Sequence, residues 1–292
     1  MPVVALIAVT AVWGVTFVQV KDAVELYPLF GFLAVRFAIA TATLAVPAAG
    51  RLRTLGRTGA GAGALLGLLL AGGYVLQTAG LQRTTVSSTG FVTGMYVVLT
   101  PLIALVLLRS RISAAAWAGV AVSTGGLALL SGTHGGSVAG VLLVLAGAAV
   151  YSPQIVLMER FAPRYDAVAF TLVEMLAACA GLGVVALARG DLGVPHGWTV
   201  WSALVVTGVF ASALAFLVQT WAQRRTSATR TALAFTMEPV FTAVFGITLA
   251  GDRLGSLGWS GCAAIMAGIL LAEPAAAAAL RAAVSRRRTA LR

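Results

Sequence analysis

Ten apolar segments of similar length follow one another along this 292-residue chain, separated by short polar breaks. A transmembrane helix needs about 20 predominantly apolar residues, and each segment approaches that length. Transmembrane strands would be about half as long and would alternate polar with apolar residues. The sequence therefore predicts an all-α polytopic membrane protein with ten transmembrane helices. We place them at residues 3–20, 29–49, 60–80, 86–108, 114–131, 138–158, 167–188, 199–221, 231–250 and 256–272.

The composition excludes a soluble enzyme. Hydrophobic residues make up 60% of the chain, charged residues make up 10%, and the mean hydropathy is +0.97. A soluble domain carries about 25% charged residues, so this chain cannot cover a water-facing surface. The net charge of +11 would suit nucleic acid. The basic residues, however, are dispersed between apolar segments, so the lipid bilayer is the expected partner and nucleic acid is not.

The distribution of basic residues predicts the orientation. If the N-terminus is inside, the inner segments and the tail hold 15 basic residues and the outer segments hold four. Cytoplasmic loops carry the excess of Lys and Arg. We therefore expect both termini and the loops at 51–59 and 109–113 in the cytoplasm of a bacterial inner membrane. The loops at 132–137 and 189–198 should lie outside.

The two halves of the chain share a pattern. Trp117-x-Gly119 followed by Gly126 recurs at an offset of 142 as Trp259-x-Gly261 followed by Gly268, and Gln77 and Gln219 have the same offset. Pro101 and Pro239 have an offset of 138, which predicts four additional residues before the proline of the first half and four fewer after it.

Five spans per half is an odd number, so the second copy should be inverted in the membrane, as in many secondary transporters. We expect one five-helix repeat at residues 1–131, a connecting loop at 132–137 and a second repeat at 138–273. A basic cytoplasmic tail follows at 274–292.

Several motifs, taken in order, resemble those of the EamA-type transporters of the drug/metabolite transporter superfamily. They are Trp13-Gly14-x-Thr16-Phe17, Arg36-Phe37, Thr85-Val86-Ser87-Ser88-x-Gly90-Phe91, Glu238-Pro239-Val240-Phe241 and Trp259-x-Gly261. The resemblance covers nearly the whole chain. It implies ten spans in two inverted halves and transport of amino acids, other metabolites or drugs, with export common. The chain departs from the family in the sixth span, where Tyr151-Ser152-Pro153 stands in place of a frequent tryptophan.

Three ionisable residues lie within predicted spans: Arg36, Glu174 and Glu238. Each charge costs roughly 2.5–3.5 kcal/mol at a helix centre, so each should have a partner or face water. For Glu238 we expect proton uptake or binding of a substrate amine, with a structural clamp at Pro239 as the alternative. Glu174 has the same options or pairs with a cytoplasmic arginine. Arg36 would hold carbonyls or pair with Glu25, and anion binding is the alternative.

The other candidates for a substrate cavity are polar or aromatic side chains within spans, which could equally serve packing or the membrane interface: Trp13, Thr16, Gln77, Tyr96, Tyr151, Gln154 and Gln219. Three prolines each remove an amide donor and are expected to bend their helices: Pro101, Pro153 and Pro239. The two cysteines lie in apolar runs and the two histidines in predicted loops. We therefore expect no metal and no cofactor.

The expected function is alternating-access transport of a small metabolite or amino-acid-like solute, with export as the expected direction and proton coupling as an option. The alternative is a membrane-embedded enzyme acting on a lipid or lipid-linked substrate. Such an enzyme needs a nucleophile and a base in workable geometry, and the sequence shows no such cluster. A Walker motif is also absent from the sequence, so ATP is not expected to drive transport. The sequence leaves open whether the protein is a monomer or a homodimer.

Overall fold

The computed structural model describes residues 1–109, 111–130, 137–249 and 255–272. Within these ranges the chain is helical and contains no strand, which confirms the predicted all-α class. A π-helix at Val209–Leu214 lies between the helices Trp198–Gly208 and Ala215–Gln223. The helices are α1 (Pro2–Leu26), α2 (Leu29–Ala45), α3 (Gly56–Leu81), α4 (Val86–Thr93), α5 (Tyr96–Leu107), α6 (Ala114–Leu130), α7 (Val138–Phe161), α8 (Ala167–Arg189), α9 (Trp198–Gly208), α10 (Ala215–Gln223), α11 (Ala228–Phe235), α12 (Met237–Leu249) and α13 (Ser256–Ala272).

Among the described residues, six helical segments are long and apolar enough to cross a bilayer, so the protein is a multi-pass membrane protein. This length criterion counts fewer crossings than the ten predicted. One reason is that α2, α6 and α13 have only 17 residues each. The other is that the ninth predicted span is divided between α11 and α12. The basic tail at 274–292 and the connecting loop, apart from its last residue, lie outside the described residues.

Side-chain caps explain where several helices begin. The hydroxyl of Thr85 accepts a hydrogen bond from the Ser88 amide at the start of α4. The hydroxyl of Ser227 accepts one from the Arg230 amide at the start of α11. These bonds satisfy backbone donors that the first turn of a helix leaves unpaired.

Two predicted spans are interrupted in their middle. The segment 86–108 breaks between α4 and α5 at residues 94–95, and the segment 231–250 breaks at Thr236. Helices α4 and α11 have equal lengths and start at an offset of 142. The two breaks therefore begin at the offset of the other repeated residues, and the four additional residues before Pro101 lie in the first break and in the first turns of α5.

The prolines do not mark these breaks. Pro101 is the sixth residue of α5, whereas Pro239 is the third residue of α12, where no amide donor is needed. Helix α7 is uninterrupted across Pro153. The positions of Pro101 and Pro239 are therefore not equivalent, which explains why their spacing differs from that of the other repeated residues.

Each helix contact between the two halves has an equivalent contact in which the halves exchange roles. Helix α6 packs on α13, and α2 packs on α8. Helix α3 packs on α7, and in the same way α9 and α10 pack on α1. Helices α4 and α5 contact α7, and in the same way α11 and α12 contact α1. Exchanging the helices of the first half for those of the second reproduces the same pairs.

Glycines allow the close contact of α6 with α13. A Cβ at Gly119 would lie 2.5 Å from the Gly268 carbonyl oxygen, and a Cβ at Gly126 would lie 2.7 Å from that of Gly261. The earlier glycine of α6 thus meets the later glycine of α13, so the two helices run antiparallel. Small residues let helix backbones approach this closely.

The loops gather at two ends of the bundle. At one end Lys21 donates to the Thr84 carbonyl at 3.0 Å, and the Ser137 amide donates to the Arg83 carbonyl at 3.2 Å. At the other end Arg51 pairs with Asp166 at 3.5 Å. An open cleft at that other end is lined by Arg111, Glu159, Arg224, Arg225 and Arg230, among others. The arginine-rich loops and the sparsely charged loops therefore lie at opposite ends.

We expect Gly126→Ala to lower the stability of the purified protein by about 1–3 kcal/mol, because its methyl group would overlap the backbone of α13. The neighbouring Gly125 is the matched control, since a Cβ there meets nothing within 4 Å. Gly125→Ala should leave stability unchanged or raise it slightly, because alanine favours helix. Thermal unfolding in detergent measures both variants, and equal melting temperatures would contradict the close α6–α13 contact.

Candidate functional site

A cavity lies in the bundle and is lined by residues of α1, α2, α3, α7, α10 and both interrupted spans. Nine residues singled out in the sequence line it: Trp13, Thr16, Arg36, Gln77, Tyr96, Tyr151, Gln154, Gln219 and Glu238. The structure thus brings together side chains from helices far apart in the chain.

Four other predicted residues lie outside the lining. Glu174 is fully buried behind the cavity wall, where the Gln154 side-chain amide donates to its Oε1 at 2.7 Å. The three prolines are not among the lining residues, although Pro101 and Pro239 follow the two helix breaks. Glu174 is therefore connected to the cavity lining by its hydrogen bond with Gln154.

Aromatic rings form one wall of the cavity. The ring centre of Trp13 lies 5.7 Å from that of Phe216 and 4.9 Å from that of Phe235. The ring centre of Tyr74 lies 5.6 Å from that of Tyr151. The last two are edge-to-face contacts, which are favourable for aromatic pairs, and the wall offers an apolar surface to a bound solute.

Arg36 reaches the cavity from α2 and is only 3% exposed. Its Nε donates to the Ser212 hydroxyl at 2.8 Å, and its Nη2 donates to the Tyr74 hydroxyl at 3.0 Å. The guanidinium carbon also lies 4.4 Å from the centre of the Tyr74 ring, a cation–π contact. Arg36 therefore bonds neutral groups rather than Glu25, the partner proposed from the sequence.

The π-helix explains how Ser212 comes to face Arg36. A π-helix turn takes one residue more than an α-helix turn. Gly67 of α3 packs against the backbone of Glu174. Its counterpart in the second half is Gly208, 141 residues later, which packs against the backbone of Arg36. Beyond the wide turn, Gln77 and Gln219 have an offset of 142, so the turn accommodates the extra residue.

The same π-helix also holds Trp13. The indole Nε1 of Trp13 donates to the Ala211 carbonyl at 2.8 Å, across 198 residues of chain. Ala211 and Ser212 are adjacent residues of the wide turn. One local irregularity therefore positions both an aromatic and a cationic side chain of the cavity.

Glu238 lies where the two interrupted spans meet. It is the second residue of α12, and Tyr96 is the first residue of α5. The Tyr96 hydroxyl lies 3.0 Å from Glu238 Oε2 and 2.9 Å from the Phe235 carbonyl, so its single proton serves one of them at a time. The partial positive charge of a helix N-terminus favours a carboxylate in the first turn.

A chain of glutamines leads away from the cavity. Gln219 Nε2 donates to Gln154 Oε1 at 3.2 Å and to Gln223 Oε1 at 2.8 Å. Gln223 Nε2 in turn donates to the Ile155 carbonyl at 2.8 Å, and Gln223 also lines the arginine-rich cleft. These amides fill the space between the cavity and that cleft.

Several residues of the site were not predicted from the sequence. Tyr74 lies three residues before Gln77 in α3, so helical spacing could have indicated that both share a face. Phe216 is similarly three residues before Gln219. Ser212 carried no such signal, because the α-helix period does not hold through a π-helix turn.

No group of three or more His, Cys, Asp or Glu side chains in the described part of the chain could hold a metal ion. The charged groups of the lining are Arg36 and Glu238. The arrangement therefore offers one cation, one carboxylate, several amides and an aromatic wall to a solute.

Comparisons with known proteins agree with this picture. The model of the EamA-like transporter family matches residues 1–132 and 138–273, which confirms the resemblance found in the motifs. A protein of Archaeoglobus fulgidus described as an uncharacterized transporter is 26% identical over 266 residues, covering 90% of this chain and 82% of the relative. A solved crystal structure shares the fold with a TM-score of 0.76 and 21% identity, covering 94% of this chain and 97% of the other.

We expect Gln154→Leu to lower the free energy of unfolding by about 1–3 kcal/mol, because it removes the hydrogen-bond donor of the buried Glu174 carboxylate. Replacing both partners, as in Gln154→Leu with Glu174→Leu, should restore part of the loss, since no buried carboxylate then lacks a partner. A double-mutant cycle of thermal unfolding measures this coupling. Strictly additive effects would show that the two side chains do not support each other.

Proposed function

Since the chain belongs to the EamA-like transporter family and is a membrane transporter, we propose that it moves a small amino-acid-like solute across the bacterial inner membrane by alternating access. One observation carries this proposal. The cavity lies where two interrupted helices meet and contains both Arg36 and Glu238. Secondary transporters place their substrate sites at such discontinuous helices.

We propose ten membrane crossings in two inverted halves. Helices α4 and α11 coincide residue for residue at an offset of 142, as do α6 and α13. The segment from α9 to α10 has the same offset from α3. The antiparallel contact of α6 with α13 supports inversion, because these two helices occupy equivalent places in the two halves.

The cavity extends toward one end of the bundle, and glutamine side chains close it toward the other end. Its lining includes Val20 and Leu81, which lie toward the end where Lys21 contacts Thr84. Toward the arginine-rich end, Gln219 and Gln223 fill the path. Alternating access would open the glutamine side while the Lys21 side closes, and interrupted helices provide segments that can move separately.

We propose that the arginine-rich end faces the cytoplasm. Arg51, Arg111, Arg224, Arg225 and Arg230 lie at this end. The other end has Lys21, Arg83 and Arg189 in or beside its loops. The excess of basic residues on the cytoplasmic side of membrane proteins supports this orientation.

Cysteine labelling tests this orientation in intact cells. In a background of Cys179→Ala and Cys262→Ala, an impermeant maleimide should label His196→Cys from outside. Thr54→Cys should react only after the cells are permeabilised. The reverse labelling pattern would invert the proposed topology.

Glu238 offers a route for coupling to protons. We infer that this carboxylate either takes up a proton or faces the amine of a solute, and that it cannot do both at once. Its bond to Tyr96 at the crossing of the interrupted spans places it where a change of access would alter its surroundings. Export by proton exchange follows if the proton and the solute alternate at this site.

Transport assays test the function and the coupling together. Metabolite profiling of cells that overexpress or lack the protein identifies candidate solutes, and proteoliposomes then measure their uptake and counterflow. We expect Glu238→Gln to retain counterflow and to lose the acceleration by a pH gradient, because glutamine cannot titrate. Glu174→Gln should have a smaller effect, since Glu174 lies behind the cavity wall.

Two outcomes would contradict these proposals. If no solute that changes in cells is transported by proteoliposomes, the transport proposal fails. If Glu238→Gln keeps its full dependence on the pH gradient, the carboxylate is structural. A membrane-embedded enzyme has less support, since the lining residues include no Ser, Cys or His that could act as a nucleophile with a base.

A further inference from the structure

The arginine-rich cleft at one end of the bundle collects positive charge that the protein itself does not neutralise. One carboxylate, that of Glu159, lines the cleft together with four arginines: Arg111, Arg224, Arg225 and Arg230. The ion pairs among the described residues lie elsewhere, at Arg51 and at Arg189. Like charges gathered in one cleft repel each other, so the cleft favours an anion.

Most guanidinium donors of the cleft have no partner within the protein. Arg225 Nη1 donates to the Trp221 carbonyl at 3.2 Å. The guanidinium groups of Arg111, Arg224 and Arg230 form no hydrogen bond or ion pair with any other residue that the structure describes. Each guanidinium carries five N–H groups in a planar fork, which matches the oxygens of a phosphate.

A buried hydroxyl at the start of α11 offers a further donor. Thr229 lies in the first turn of this helix, is only 6% exposed and lines the cleft. Its hydroxyl has no hydrogen-bond partner in the described part of the chain, although buried polar groups usually have one. The N-terminus of a helix also favours a negative charge beside it. An anion in the cleft would therefore meet both a free hydroxyl and a positive helix end.

The equivalent loop at the other end of the bundle is bonded within the protein. Gln82 corresponds to Arg224 at the repeat offset of 142. Gln82 Nε2 donates to the Val24 carbonyl of α1 at 3.1 Å, and Lys21 donates to the Thr84 carbonyl beside it. An excess of arginine in cytoplasmic loops is expected from topology alone. Topology does not require these charges to converge on one cleft or to leave their donors unused.

We propose that the arginine-rich cleft binds the headgroup of an anionic phospholipid. Arg111, Arg224 and Arg230 hold its phosphate, and Thr229 at the start of α11 donates to the same group. Basic pockets between membrane helices are suited to multiply charged lipid headgroups. The lipid is a partner distinct from the transported solute, so this inference does not depend on the transport proposal.

The surroundings of the cleft favour a lipid over a soluble phosphate. The guanidinium carbon of Arg225 lies 5.0 Å from the ring centre of Trp221, which is 36% exposed. Exposed tryptophans of membrane proteins concentrate at the level of the lipid headgroups. The lining also includes apolar residues at the ends of α6 and α13, Ala116 and Ala272. A free phosphate would leave this apolar side uncovered, whereas the glycerol and first acyl carbons of a lipid would cover it.

The charge of the cleft favours a headgroup with two phosphates. Four arginines face the single carboxylate of Glu159, so one phosphate would leave much of the positive charge unpaired. We therefore expect cardiolipin, which carries two phosphates, to bind more tightly than phosphatidylglycerol, which carries one. Phosphatidylcholine has no net charge and should bind most weakly.

Native mass spectrometry of the purified, delipidated protein in detergent tests the proposal. The probes are tetraoleoyl cardiolipin, dioleoyl phosphatidylglycerol and dioleoyl phosphatidylcholine. We expect wild type to bind cardiolipin about tenfold or more tightly than phosphatidylcholine. The double variant Arg224→Gln with Arg230→Gln should weaken cardiolipin binding about tenfold or more, because each arginine near a headgroup adds to the attraction.

A matched control separates the cleft from general surface charge. Arg53→Gln with Arg57→Gln removes the same charge from the arginine-rich end, but both residues are exposed and lie outside the lining. This pair should keep the affinity for cardiolipin within about twofold of wild type, since charges in water are screened. Equal losses in the two double variants would overturn the proposal, because the attraction would then be diffuse.

A variant that changes no charge covers the case in which the arginine pair does not fold. Thr229→Val keeps the shape of the side chain and removes its hydroxyl, so it should weaken cardiolipin binding about threefold. Attraction between surface charges alone would leave the affinity of this variant unchanged, and that result would contradict the placement of the phosphate at α11.

Two further outcomes would overturn the proposal. One is equal affinity of wild type for cardiolipin and phosphatidylcholine. The other is displacement of cardiolipin by an equal concentration of inorganic phosphate, which would make the cleft a site for a soluble anion. Failure of inorganic phosphate to compete, together with the loss in the arginine pair, supports a lipid site.

Discussion

No water is present inside a bilayer to complete backbone hydrogen bonds, and this constraint decides where a helix of this protein can be interrupted. Unpaired backbone groups are tolerated there only if protein or a water-filled cavity covers them. The breaks of the two interrupted spans lie next to each other. The Phe235 carbonyl at one break lies 2.9 Å from the Tyr96 hydroxyl at the other. The site therefore exists at this place because the two breaks cover one another, and the carboxylate of Glu238 lies beside them.

The π-helix at Val209–Leu214 is a second irregularity with a similar consequence. Its wide turn adds one residue between Gly208 and Gln219 relative to the stretch from Gly67 to Gln77 of α3, although the two helical segments have equal total length. That residue changes which groups face inward, so that the Ala211 carbonyl accepts from Trp13 and the Ser212 hydroxyl accepts from Arg36. The two halves of the protein thus have the same packing of helices but different chemistry in the cavity, because α3 has no such turn.

The buried polar groups pair mostly with neutral partners. Glu174 bonds Gln154, Glu238 bonds Tyr96, and Arg36 bonds Ser212 and Tyr74. Such pairing orients each polar group without joining opposite charges. A direct ion pair between these groups would instead have neutralised both partners.

The sequence alone predicted the helical class, the multi-pass membrane character and half of the residues that line the cavity. It could do so because bilayer thickness dictates the length of apolar runs, and because polar groups inside such runs are expensive and therefore informative. Capping residues such as Thr85 and Ser227 acted through local hydrogen bonds, which are also readable from the sequence. Only the tertiary structure decided the partner of each buried group. Arg36 meets Ser212 across 176 residues, and that contact depends on a π-helix turn and on the packing of α2 against it. Hydrophobicity and spacing carry no information about such a contact, since it arises from the geometry of helices that are distant in the chain.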